Sequence, residues 1–200
     1  MVRIVCLGDE MMEIYIVFTD TKTSFAKMIK SYTRYPFSHV SLSFSKDLSQ
    51  MYSFGLKQVG NAFIGGFVKE DVRDTLFQRA DCAVCKLELS EESYYKILEY
   101  VQQMEQQQEF FKYNLTGLFA VALNYNFIRK DAYFCSEFVA EALAAGNIRV
   151  ADKPPALVTP RDLFTSGSMA TIHRGDVQNY PFLSPVIDYV QAEAVLGAMR

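Results

Sequence analysis

Residues 38–44, "SHVSLSF", alternate strictly: His39, Ser41 and Ser43 on one side, Val40, Leu42 and Phe44 on the other. Side chains of a strand point alternately to its two faces, so this segment has one apolar and one polar face. Such a strand does not belong in a parallel sheet buried on both sides; it belongs in an antiparallel sheet with one face on a core. The flanking sequence agrees. "EIYIVFT" at 13–19 reads as a β-rich strand and "SFAKMIKSYT" at 24–33 as a short helix, giving a strand-helix-strand opening. "SKDLSQ" supplies turn chemistry before "MYSF" at 51–54, which returns as an antiparallel neighbour. "GLKQVGNAFIGG" at 55–66 reads as a loop, and "FVKEDV" and "CAVCKLEL" as further strands.

The second half is helical. Ser90 with Glu91 and Glu92 makes an N-terminus, and Tyr94, Ile97, Leu98, Val101 and Met104 form one apolar stripe that ends near the polar "EQQQE" at 105–109. In "DAYFCSEFVAEAL", residues 131–143, Cys135 opens a helix and shares its core-facing side with Phe138, Val139 and Ala142. "AAGNI" ends that helix with a glycine where a left-handed cap is expected. Thr159, Pro160 and Asp162 mark a helix start as N-cap, N1 and N3, and Pro185 to Met199 read as a last helix. With 50% hydrophobic residues in 200, the chain suits one domain with a sizeable core, of the α+β class.

Charge excludes one class of partner. The net charge is −3 and the basic residues are scattered, so no nucleic acid is expected. The longest apolar run, "LTGLFAVAL" at 115–123, is far short of the ~20 residues of a spanning helix, so no integral membrane segment is expected. The N-terminal segment is interrupted by Asp9, Glu10 and Glu13, unlike a signal peptide, which points to a cytoplasmic chain. The four cysteines then read as reduced thiols. Cys82 and Cys85 lie in an alternating strand, on opposite faces, and no second pair or nearby histidine completes a metal site; they read as buried packing residues.

Thiolate chemistry needs a base and a site that favours negative charge, and a helix N-terminus beside an imidazole supplies both. Cys135 has the helix start, but a cysteine on an apolar helix face is also a common packing residue. Of the two histidines, His39 stands at the head of the polar strand face, while His173, in "TIHRGD", reads as a turn residue near a strand end and the weaker base. The two groups meet if the polar side of "SHVSLSF" faces the N-terminus of the Cys135 helix.

The ordered series "FSHVSLSF", "FKYNLTGLF" at 111–119, "YFCSEFVAEAL" at 133–143 and "PALVTPRDLF" at 155–164 resembles the circularly permuted papain-like branch of the NlpC-type cysteine hydrolases, with YiiX-like proteins as the nearest group. The match covers roughly residues 13–165, leaving 166–200 as a C-terminal strand and helix extension. In that branch the histidine precedes the cysteine, as His39 precedes Cys135 here. The resemblance implies a permuted papain-like fold, an antiparallel sheet packed against a helix carrying the cysteine at its N-terminus. It implies Cys135 as nucleophile, His39 as base and a third polar residue on the next strand that orients the imidazole. That strand, "QMYSF", carries no His, Asp or Glu, leaving Gln50, Tyr52 and Ser53, of which Ser53 is favoured. Tyr133, Glu137 and Tyr52 are candidate substrate-binding residues, Tyr133 and Glu137 being equally open to structural roles. The expected activity is hydrolysis of an amide or peptide bond in a small peptide, such as a cell-wall fragment, or an acyl-containing substrate, with no metal or organic cofactor. A lipid acyltransferase-like enzyme and a catalytically silent peptide- or acyl-binding module are the alternatives; the incomplete third position favours the silent one.

Overall fold

A computed structural model describes residues 11–56, 65–110, 112–113 and 132–183. The expected helix at 185–199, the apolar run at 115–123 and the N-terminal segment through residue 10 lie outside the described residues, as does Cys6. The elements in chain order are β1 (Met12–Asp20), α1 (Ser24–Thr33), β2 (His39–Ser43), β3 (Met51–Leu56), β4 (Gly65–Glu70), β5 (Asp81–Leu89), α2 (Glu91–Gln106), β6 (Lys112–Tyr113), β7 (Ala132–Tyr133), α3 (Cys135–Ala145), α4 (Pro160–Thr165) and β8 (Ala170–Asp176). Six strands form one sheet in the order β4-β3-β2-β1-β5-β8, every neighbouring pair antiparallel, so the class is α+β. β6 and β7 form a separate two-stranded parallel pair that the sequence pattern did not announce.

Three helix starts follow from local hydrogen bonds. Thr23 Oγ1 accepts from the Ala26 N–H, Ser90 Oγ from the Ser93 N–H, and Thr159 Oγ1 from the Asp162 N–H, each satisfying an orphan donor. α3 begins differently. Its flanking residue is Phe134, whose N–H donates to Glu137 Oε2 at 3.2 Å, so the glutamate three residues on does the capping. Gly146, which follows α3, does not adopt the left-handed cap: its φ is −80°, and Asn147 at +62° is the left-handed residue. The glycine is needed for packing. A Cβ there would lie 2.7 Å from Ile97 Cγ1 and 3.0 Å from the Ser93 carbonyl oxygen, so only a bare Cα lets the end of α3 approach α2 this closely.

The sheet separates two cores. On one face Ile14, Ile16, Phe18, Val40, Leu42, Phe54 and Phe67 pack with Ile97, Val101 and Met104 of α2 and Phe138, Val139 and Leu143 of α3. Phe138 seats its ring between Phe54 and Phe67, with centroids 5.6 Å from each. On the other face Tyr15, Val17, Met51, Cys82 and Val84 pack under Val72, Phe77 and Ala80 of the turn after β4, and under Val177 and Tyr180. Cys85 belongs to the first core and Cys82 to the second, as their alternation requires.

One sequence expectation needs correction. The segment 55–66 is not wholly loop: Gly55 and Leu56 continue β3, and Gly65 and Gly66 open β4, paired Gly55 to Gly66 and Leu56 to Gly65. The glycines masked the strand because they carry no side chain to mark alternation. The C-terminal extension begins, as expected, with a strand, residues 170–176. They form the edge strand β8, joined to β5 along its length except for an irregularity between Val84 and Cys85. No helix among the described residues is long and apolar enough to cross a membrane.

Candidate active site

His39 is the first residue of β2 and Cys135 the first residue of α3. The two side chains are near neighbours, close enough that the Cys135 thiol acts on the imidazole pKa. Their meeting differs from the expectation that the whole polar face of β2 would turn towards α3. The helix lies on the apolar face, in one cluster with Val40 and Leu42, and Cys135 is part of that cluster and 6% exposed. Only the strand's terminal position lets an imidazole reach the helix start while Ser41 and Ser43 stay buried on the opposite face.

The other side of the imidazole is held by a residue that the sequence reading passed over. His39 Nε2 lies 3.1 Å from Glu70 Oε1 and 3.3 Å from Oε2, and Ser41 Oγ donates to Glu70 Oε2 at 2.7 Å. Ser41 Oγ is also 3.2 Å from His39 Nε2. Glu70 ends β4, and β3 stands between it and β2. Met51 of β3 is the direct partner of Glu70, and beyond it the residues of β3 on this face are small, which lets the carboxylate reach over the strand. Ser53 faces Val68 in the register, and Gly55 faces Gly66. A Cβ on Gly55 would meet Glu70 Oε1 at 3.3 Å and His39 Cε1 at 3.4 Å, so the pair uses the space that the glycine leaves.

Ser53, the expected orienting residue, has another place. It is fully buried in the same polar row, and its hydroxyl favours the ionised form of Glu70. It makes no hydrogen bond of good geometry with any described group. Among the described residues it is Glu70 rather than Ser53 that contacts His39 Nε2, and it comes from β4 rather than from the adjacent "QMYSF" strand. The signal that existed was Glu70, the acidic residue of "FVKEDV" that shares a strand face with Val68, opposite Met51 and Ser53.

Burial by itself would drive His39 towards its neutral form. The Glu70 charge, the Cys135 thiol and the hydrogen bond to Glu70 outweigh it and hold the imidazole pKa well above the ordinary 6.5. Burial likewise works against the Glu70 carboxylate, but His39 and the hydroxyls of Ser41 and Ser53 pull its pKa below the ordinary carboxylate range. Both side chains are nearly inaccessible, 14% exposed for His39 and 10% for Glu70, so water screens their attraction little.

Of the other named candidates, Glu137 is engaged by the Phe134 N–H in capping α3, while burial, against that hydrogen bond, raises its pKa. Tyr133, two residues before the thiol, stacks on Phe54 with centroids 4.9 Å apart. Tyr52 is a core residue on the α3 side of the sheet, its ring set between Phe44 and Phe67. His173 is a strand residue of β8 rather than a turn residue; its Nε2 is 3.1 Å from the Asp176 carbonyl oxygen and its ring packs against Tyr180 of the second core. That puts it across the sheet from the cluster containing Cys135. The thiols of Cys82 and Cys85 are buried, and burial, reinforced by Asp176 and Asp81, lifts the pKa of Cys82 to about 12. Cys85 is raised by burial as well.

The arrangement has the parts of thiol-based acyl chemistry: a cysteine at a helix start, an imidazole beside it, and a buried carboxylate on the far ring nitrogen. The first-turn N–H groups of α3, which begins at Cys135, lack intrahelical acceptors. No family model matches the chain, and no curated protein and no solved structure is significantly similar to it.

Proposed function

We propose that the protein is a cysteine-dependent hydrolase of amide or peptide bonds with a permuted papain-like fold, in which Cys135 is the nucleophile, His39 the acid–base group and Glu70 the residue that orients His39. The observation that carries this reading is the buried His39–Glu70 pair beside the Cys135 thiol at the start of α3. With Nε2 committed to Glu70, Nδ1 is the nitrogen left for the thiol. His39 takes the thiol proton, and Sγ attacks the carbonyl carbon, with the oxyanion held by N–H groups of the helix start. The imidazolium protonates the leaving amine as the C–N bond breaks. Water then adds to the thioester, giving its proton to His39, and the acid departs as the C–S bond breaks.

A carboxylate in the third position also bears on the silent-module alternative, whose support was an apparently neutral orienter. Glu70 stabilises an imidazolium as a serine hydroxyl would not. A peptide amide remains the favoured substrate, cell-wall-derived peptides among them.

The test is alkylation of Cys135 by iodoacetamide as a function of pH, in the native protein and in His39→Ala. Reaction near pH 6 at a rate at least about tenfold above that of a free thiol, lost in His39→Ala, is the expected result. A profile that follows an ordinary thiol and is indifferent to His39→Ala would overturn the reading.

A further inference from the structure

Beside the thiol–imidazole pair lies an aromatic shelf topped by two arginines. Arg174 of β8 stands opposite Ala83, Ala83 opposite Phe18, and Phe18 opposite Val40, so Arg174 shares the sheet face that carries α3. Its guanidinium lies 5.9 Å from the Phe37 ring centroid and 6.0 Å from that of Phe164. Tyr35, Phe37 and Phe164 pack on one another with centroids 6.0–6.2 Å apart, and Phe164 meets Phe18 edge-on at 5.2 Å. Arg161, in the first turn of α4, completes the group. Arg161 lies three residues before Phe164, and both arginines act against the rise that burial causes in the Tyr35 pKa.

Neither arginine has an ion-pair partner among the described residues, and both are exposed. The nearest acid in sequence to Arg161 is Asp162, which already binds Lys153 at 2.6 Å and caps α4. The shelf is tied to the site at two points. Phe37 lies two residues before His39, and Ser136, next to Cys135, donates to the Val158 carbonyl at 2.6 Å, three residues before Arg161. Three strand spacings, about 14 Å, separate the backbone of Arg174 from that of β2.

We infer that this shelf is a substrate subsite that takes an anionic group, a carboxylate or a phosphate, borne about three extended residues from the scissile bond. Stacking on Phe37 and Phe164 holds the Arg174 guanidinium over the apolar surface, where carboxylate and phosphate geometries suit it. The inference rests on the proposed reaction at Cys135 for its direction, since the shelf is assigned to the same substrate.

The probes are N-iodoacetyl-Ala-Ala-Glu, its glutamine counterpart and its phosphoserine counterpart, each alkylating Cys135 by forming the C–S bond and releasing iodide. Two exposed pairings predict that the glutamate probe reacts about tenfold faster than the glutamine probe at low ionic strength, the ratio falling to about one in Arg161→Gln/Arg174→Gln. The faster of the glutamate and phosphoserine probes identifies the preferred anion, and either preference over glutamine upholds the subsite. A glutamine probe as fast as both anions, or a preference that survives the double substitution, overturns it. Both arginines are exposed, and unchanged thermal unfolding verifies that the variant is folded. His39→Ala separates this inference from the hydrolase reading: it slows all probes alike if His39 activates the thiol, and leaves the probe ratio in place either way.

Discussion

Glu70 holds His39 from two strands away, across Gly55 and Ser53 of the strand between them. The pair is buried, and its stability follows from two opposite pKa shifts. The His39 pKa is raised, so its contribution is complete below the unfolded value near 6.5 and is lost as pH rises through the folded value. The Glu70 pKa is lowered, so its contribution is present above the unfolded value near 4.5 and is lost as pH falls through the folded value.

Glu70→Gln is therefore expected to destabilise the protein most between about pH 4.5 and 6.5, by roughly 3 kcal/mol, with the difference shrinking on either side. Urea unfolding of both proteins across pH measures it. In the same variant the His39 titration, followed by NMR of the imidazole protons, shifts to lower pH, because burial then acts without the opposing charge. A variant whose His39 titrates unchanged would show that the carboxylate does not hold the imidazole.

Bulk added to the intervening strand should separate the pair. Gly55→Val puts branched carbon where even a Cβ stands 3.3 Å from Glu70 Oε1, and it should slow alkylation of Cys135 near pH 6 by about tenfold or more. Ser53→Ala removes a hydroxyl that bonds nothing well, and it should change the same rate less than about threefold. A loss in Ser53→Ala equal to that in Glu70→Gln would return Ser53 to the orienting role.

Gly146→Ala should lower stability by about 1–3 kcal/mol, a fall in Tm of several degrees for a chain of this size. The cause is the 2.7 Å approach to Ile97, not a backbone preference, since φ at Gly146 is −80°. Ile97→Val should then relieve part of the cost, giving a non-additive double-mutant cycle in thermal unfolding. Additivity would indicate that the glycine matters for some other reason.

In a Cys6→Ser background, Ellman's reagent should titrate Cys135 in the native protein, while Cys82 and Cys85 react only after unfolding. Their raised pKa values and deeper burial, 1% and 2% exposed against 6% for Cys135, supply the reason. Rapid native reaction of all three thiols would contradict the packing of β5.

Much of this site was legible before any coordinates. The alternation around His39 and the apolar stripe through Cys135 are local patterns, and each is set by the period of its own element. That is why β2, α1, α2 and α3 fall where the sequence put them, and why Cys82 and Cys85 separate to opposite cores. Glu70 was not legible, because its relation to His39 depends on the pairing of three strands and on two small residues in the middle one. Gly146 was misread for the same reason: its neighbour Ile97 is distant in sequence, so a glycine placed for close packing looked like one placed for a turn.

The sequence by itself determined which side chains share a face and where helices begin, since a period of two or 3.6 residues and a capping hydroxyl act within a few residues. Only the tertiary structure decided that α3 lies on the apolar face of the sheet, that His39 meets Cys135 from the end of its strand, and that Glu70 reaches the imidazole over Gly55. Those relations are fixed by strand order and by the volume left between side chains, which no local pattern records.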